Sequence, residues 1–446
     1  KDEAADVEAA RELERARRAY ERLPAPTATH YARYHAERAR LDDLRRTLAA
    51  SLEVDRTRLG RLDGLLDRAR DAMTRILARV PEEHVAGSLE RARAGWLRGS
   101  ASSFDEKLRF VDAIAWLRRP GVEEALAELV DDPLEDVRVR GVALRMRAER
   151  HDRGALAQAT VLLEAPSWIL EAAAIEALRL LHERGSIEPL IAFLGREDLG
   201  RLREDGRRAL ASLTGQPHGP YAQPWADWWK EAQAKFEMPA RPVDGAAPAA
   251  PEKGVTFYGV TTFSDKLLFV LDVSGSMKDR AHEDAAGVRG EERKIDVARR
   301  ELGAALAMLD EKKTFNMVFF GHRVVRWQGG MVPADKAALE RAKRFESEVE
   351  PSGGTNIHDA LEASFALAGF AADGKTYLSA IDTIYFMTDG TPTAGKLVKP
   401  AEILAAVRGW NRTARVTIHV IAVGDACDAS FLESLAAQNG GTFVRR

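Results

Sequence analysis

Four short, predominantly apolar runs in the second half of the chain constrain its fold most: the continuous run Lys266–Leu271, and Phe315–Phe320, Thr383–Met387 and Val416–Val423. Each is short and mostly apolar, which suits strands covered on both faces. Helical patterns lie between them, at Ile295–Leu309, Pro333–Phe345, Ile357–Phe370, Ala401–Trp410 and Phe431–Gln438, and "GTFVRR" closes the chain as a last strand. Strands alternating with helices predict a doubly wound, mostly parallel α/β sheet with helices on both faces. In that architecture ligands sit beyond the carboxyl ends of the strands.

The first half has a different texture. Up to about residue 100 it is rich in Ala, Arg, Glu and Leu, which favour helix. Leu41, Leu44, Leu48, Leu52, Leu59, Leu62 and Leu66 make one apolar stripe after the break at Pro24 and Pro26, predicting a helical hairpin or coiled coil over 1–100. Paired helical segments then recur, each second member following a turn, at Arg-Pro-Gly, Asp-Arg-Gly and Arg-Gly-Ser, with a period of about 30–35 residues. With its acidic turn and Val/Ala/Leu helix, "DDPLEDVRVRGVALRM" resembles a HEAT repeat, which implies an all-α solenoid over 101–236 that binds or positions other macromolecules. Trp225, Trp228 and Trp229, on one helix face, are expected to cap its last repeat. The Pro- and Ala-rich stretch 237–253 reads as a linker, leaving 254–446 as the α/β domain.

Composition narrows the partners. The 446 residues carry 66 Lys and Arg against 69 Asp and Glu, a formal charge of −3, so nothing calls for nucleic acid. No apolar run is long enough to span a membrane. A single cysteine, Cys427, excludes an internal disulfide framework or a cysteine-rich zinc site, and it is read as a thiol without a role. Because the chain starts at Lys1, a targeting segment cannot be read; an extracytoplasmic setting is favoured over the cytoplasm.

Three loops at candidate strand ends hold unusual oxygen-bearing residues. Asp272-Val273-Ser274-Gly275-Ser276 follows the first strand, Thr355 follows "VEPSGG" and opens a helix, and Asp389-Gly390 follows "DTIYFMT". In an extended segment, Asp272, Ser274 and Ser276 would project to one side. Two carboxylates and three hydroxyls without His or Cys form a hard ligand set suited to Mg²⁺, with Mn²⁺ or Ca²⁺ as alternatives. The competing reading of each residue is capping of the following helix. His358, His322 and His419 are expected to be structural, His358 on a helix surface or rim.

In their order and spacing, "FVLDVSGSM", "GGTNIHDAL" and "FMTDGTPTAG" resemble the metal-ion-dependent adhesion site of von Willebrand factor type A domains over about residues 254–446. The resemblance implies a Rossmann-like fold and a divalent cation held by Asp272, Ser274, Ser276, Thr355 and Asp389. It also implies one open coordination position that an Asp or Glu of a partner protein completes. The function expected is non-enzymatic protein binding, adhesion or scaffolding. A metal-independent scaffold or assembly factor is the alternative, and a metal-dependent hydrolase is disfavoured because no Lys or His stands in the motifs as an evident acid/base partner. Some family members work with ATPases; no phosphate-binding loop motif occurs here, so such a partner would be a separate chain. The polar segment 278–293 is longer than the family's usual connection and is expected either to form part of a partner-binding rim or to be a tolerated surface insertion.

Overall fold

The computed structural model describes residues 121–240, 243, 254–281, 292–369, 380–424 and 427–446, with 104, 107, 108, 111 and 114 of a preceding helix. The helical hairpin expected over 1–100, most of the linker and the centre of the 278–293 insertion lie outside the described residues. Among the described residues no helix is long and apolar enough to cross a membrane.

The described part of the N-terminal half is helical. Its described elements are α1 (Val122–Asp131), α2 (Val137–Glu149), α3 (Gly154–Leu162), α4 (Trp168–Leu181), α5 (Ile187–Leu194), α6 (Leu202–Thr214) and α7 (Ala222–Ala232). The ends follow local chemistry. Asp136 caps α2, its carboxylate accepting from the Arg138 N–H, and Gly215 in the left-handed region ends α6. Helix α2 packs on α1 and α4, and Gly141 permits the approach, since a Cβ there would lie 3.1 Å from that of Ala173. On α7, Trp225 and Trp229 are buried and Trp228 partly so, with Trp228 and Trp229 both packed against Phe236. Two contacts order the first part of the expected linker: the Pro239 carbonyl lies 2.7 Å from His182 Nε2, and the Val243 N–H donates to the Ser212 carbonyl.

The second half is an α/β domain. A hairpin of β1 (Val255–Phe257) and β2 (Val260–Thr262) precedes the sheet. Its turn places Tyr258 and Gly259 at φ 48° and 77°, and Tyr385 Oη lies 2.9 Å from each of the Val255 and Val260 carbonyls. The sheet contains β3 (Lys266–Asp272), β4 (Thr314–Phe320), β5 (Val324–Arg326), β6 (Val332–Pro333), β7 (Thr383–Thr388), β8 (Thr417–Ala422) and β9 (Phe443–Arg445). Its order is β5-β4-β3-β7-β8-β9, with β6 pairing on β4. Strands β4, β3, β7, β8 and β9 run parallel, whereas β5 and β6 are antiparallel to β4 at the edge.

Side-chain alternation explains the continuous apolar run of β3. Leu267, Phe269 and Leu271 face a core formed with α8 (Lys294–Ala307) and α9 (Lys336–Glu348). Leu268 and Val270 face the opposite core with α10 (Ile357–Gly369), α11 (Pro400–Ala414) and α12 (Ala429–Gln438). The chain therefore leaves β3 for a helix on one face and leaves its neighbour β7 for a helix on the other. The two connections diverge and open a crevice at the carboxyl ends of β3 and β7.

At the amino ends of the strands, Asp382 is buried beside Ser264 and Thr383. Arg201, just before α6, donates from Nη1 to the Asp382 carbonyl and to Thr417 Oγ1. Burial pushes the Asp382 carboxyl up, against the opposing field of the Arg201 guanidinium.

Candidate metal centre

The crevice at the β3/β7 switch collects the oxygen-bearing residues. Asp272 is the last residue of β3 and Asp389 follows the last residue of β7; both side chains are fully buried. Ser274 is extended, but Gly275–Lys278 form one turn of 3₁₀ helix. The turn, not strand alternation, brings Ser276 Oγ to 3.1 Å from Ser274 Oγ. Neighbouring same-side residues of a straight strand stand about twice as far apart. Ser276 Oγ donates to Asp389 Oδ1 at 2.8 Å, and Ser274 Oγ lies 3.5 Å from the same oxygen.

Thr355 lies in the segment that carries the chain from α9 to α10, between the two faces of the sheet. Main-chain bonds tie this segment to the other two loops: Gly275 N–H to Gly353 O (2.9 Å), Ser352 N–H to Val273 O (2.8 Å) and Thr393 N–H to Thr355 O (3.0 Å). Thr393 Oγ1 accepts from the Thr355 N–H at 2.8 Å. Gly390 gives Thr355 its room, because a Cβ at Gly390 would stand 3.1 Å from Thr355 Oγ1.

Asn356, not Thr355, caps α10: its Oδ1 accepts from the Asp359 N–H. Asp389 caps no helix, since its carboxylate bonds to Ser276, Ser274 and Lys294. Asp272 does hold its local turn, with Oδ1 accepting from the Ser274 N–H at 2.7 Å and Oδ2 from Thr388 Oγ1 at 2.5 Å. Burial pushes its carboxyl up to about 6; the hydrogen bonds from Thr388 and Ser274 oppose this, and the nearby Asp389 charge reinforces it.

These distances fit a small, hard cation. Ligand oxygens in adjacent positions of an octahedron around Mg²⁺ lie about 3 Å apart, given metal–oxygen distances near 2.1 Å. The Ser274, Ser276 and Asp389 oxygens lie 2.8–3.5 Å from one another.

Two participants escape the motif reading. Thr388 Oγ1 holds Asp272; its position beside Asp389 was the available clue. Lys294 Nζ lies 2.8 Å from Asp389 Oδ2, so a lysine from outside the motifs reaches the site. It lies 22 positions after Asp272, beyond the insertion, where no spacing rule finds it.

The histidines are placed differently. His358 is buried, not on a helix surface; its Nδ1 lies 2.7 Å from Asp359 Oδ1 and its ring packs on Trp410. His419 is buried in β8 and accepts from the Thr442 N–H, and burial holds it neutral with its pKa lowered to about 3. His322 is exposed. Cys427 is partly buried, with Sγ 3.8 Å from the Gly424 carbonyl.

Comparison with known proteins agrees with the fold. A family model described as the von Willebrand factor type A domain matches residues 265–444. Inter-alpha-trypsin inhibitor heavy chain H4 of Homo sapiens is 30% identical over 184 residues, 41% of this chain and 18% of the relative. Heavy chain H2 of Mesocricetus auratus is 32% identical over 183 residues, 40% of this chain and 17% of the relative. The chain thus spans less than one fifth of the length of these relatives. A solved von Willebrand factor type A structure from Catenulispora acidiphila is 20% identical, covering 42% of this chain and 39% of its own, with a TM-score of 0.33. The parallel sheet, its switch-point crevice and the family match identify residues 265–444 as a von Willebrand factor type A domain, carried in one chain with a helical N-terminal half.

Proposed function

We propose that the C-terminal domain binds a divalent cation through Asp272, Ser274, Ser276, Thr355 and Asp389, and that an Asp or Glu of a partner protein completes its coordination. Mg²⁺ is the preferred ion, with Mn²⁺ and Ca²⁺ as alternatives. The helical half, with 101–236 as a HEAT-like solenoid, presents this site as a non-enzymatic scaffold. The reading rests on one observation: Ser274, Ser276 and Asp389 set three oxygens 2.8–3.5 Å apart at the β3/β7 switch, beside the buried Asp272.

Charge supports an acidic partner. Two carboxylates balance a +2 ion, and the Lys294 ammonium beside them makes the loaded site net positive, which favours an anionic further ligand. The cation would supply a Lewis-acidic coordination point, which the residues of this chain would hold and orient.

The test is a thermal melt in EDTA followed by addition of Mg²⁺, Mn²⁺ or Ca²⁺. An ion at 100 times its Kd should stabilise the domain by about 2.7 kcal/mol. Wild type should respond and Asp389→Ala should not, and Asp389→Ala should also lose capture of protein partners. A wild-type melt indifferent to all three ions refutes the proposal.

A further inference from the structure

Lys294 opens α8, and its side chain is 9% exposed, an unusual position for a lysine. Three features hold it. Its N–H donates to the Asp279 carbonyl at 2.9 Å, next to an antiparallel bridge between Arg280 and Arg293 and a bond from the Ala281 N–H to the Glu292 carbonyl. The base of the 278–293 insertion is thus closed, and Lys294 is delivered from that base. Its Cε and Nζ pass over Gly424, where a Cβ would stand 3.5 Å from each. Its Nζ then reaches Asp389 Oδ2 at 2.8 Å, while Oδ1 of the same carboxylate faces Ser276 and Ser274.

The two oxygens of Asp389 are therefore divided, one toward the hydroxyl cluster and one toward a fixed ammonium. We propose that Lys294 is a tethered counter-cation that sets the affinity of this site for divalent ions. The inference rests on the ion-site reading above. Asp272, Asp389 and Lys294 together carry −1, whereas the two carboxylates alone would carry −2. A divalent ion entering beside the ammonium meets a like charge and a half-neutralised Asp389, so the site binds it more weakly than its five oxygens would alone. The same ammonium keeps Asp389 paired in the folded chain, so the domain depends less on the ion for its stability. With the ion bound, the excess positive charge is relieved by a carboxylate ligand, and ion and acidic ligand should reinforce each other.

The experiment compares the full 446-residue chain with Lys294→Met, Lys294→Gln and Lys294→Arg, using Mn²⁺ alone as probe. Binding is read by the loss of free Mn²⁺ signal in electron paramagnetic resonance, and melting is followed in EDTA. The neutral variants should bind Mn²⁺ about tenfold more tightly than wild type. They should also melt at lower temperature in EDTA and recover that loss when Mn²⁺ is added, while Lys294→Arg stays near wild type. Lys294→Gln retains a polar head and covers the case in which Lys294→Met does not fold without an ion. Unchanged or weaker Mn²⁺ binding in both neutral variants overturns the counter-cation role but leaves the ion site standing. No Mn²⁺ binding by wild type or any variant overturns both readings.

Discussion

Replacing Asp272 with Asn should stabilise the ion-free domain while removing its response to divalent ions. Asp272 is fully buried at the end of β3, and burial raises its carboxyl from 3.8 to about 6. The folded state therefore holds the proton more tightly than the unfolded chain does. Stability from this group is fully present below pH 3.8 and is lost as pH rises through about 6. A shift of about two units corresponds to about 3 kcal/mol of destabilisation once the group is ionised. Asparagine keeps the local contacts: its Oδ1 can accept from the Ser274 N–H, and its Nδ2 can donate to Thr388 Oγ1 as that hydroxyl turns. The substitution removes the buried charge at little cost in shape. Hydrogen exchange in EDTA, followed in peptides covering Lys266–Asp272 and Thr383–Thr388, reads the sheet separately from the helical half. Wild type should lose protection between pH 4 and pH 7, whereas Asp272→Asn should not, and at pH 7.5 the variant should be better protected by about 3 kcal/mol. Mg²⁺ should then protect wild type alone. The reasoning fails if Asp272→Asn is less protected than wild type in EDTA at pH 7.5, because the charge would then be stabilising in its folded surroundings.

Gly390→Ala places a Cβ 3.1 Å from Thr355 Oγ1 and should displace that hydroxyl. Mn²⁺ affinity should fall by about tenfold, with a change of less than about 1 kcal/mol in stability, as read by titration and denaturation together. Arg201→Met removes the donor to the Asp382 carbonyl and Thr417 Oγ1 and the opposing charge near buried Asp382. It should cost about 3 kcal/mol and loosen exchange in Leu202–Thr214 and Thr417–Ala422 without altering Mn²⁺ affinity.

Legibility in the sequence followed how local each determinant is. Lys266–Leu271 reads as a strand covered on both faces because side-chain alternation is a property of six adjacent residues, and β3 extends it only by Asp272. Asp272, Ser274, Ser276 and Asp389 stand out as candidate ligands because each lies within a few residues of the end of β3 or β7, and Thr355 because it follows Gly353-Gly354 just before α10. The β1–β2 hairpin was not legible, because its turn is Tyr258-Gly259, without the usual Asn-Gly signal. The burial of His358 was not legible either: its ring packs on Trp410, 52 positions away and on another helix.

The sequence by itself determined the alternation of strands and helices, the helical character of the first half and a hard, oxygen-rich set of candidate ligands. Those are consequences of near-neighbour periodicity and of side-chain chemistry. Only the tertiary structure decided which oxygens meet, because Ser276 reaches Asp389 across 113 positions through the crevice at the β3/β7 switch. It also decided that Lys294 joins them, across 95 positions from Asp389. A buried charge finds its partner through the packing of distant elements, and spacing along the chain does not encode that distance.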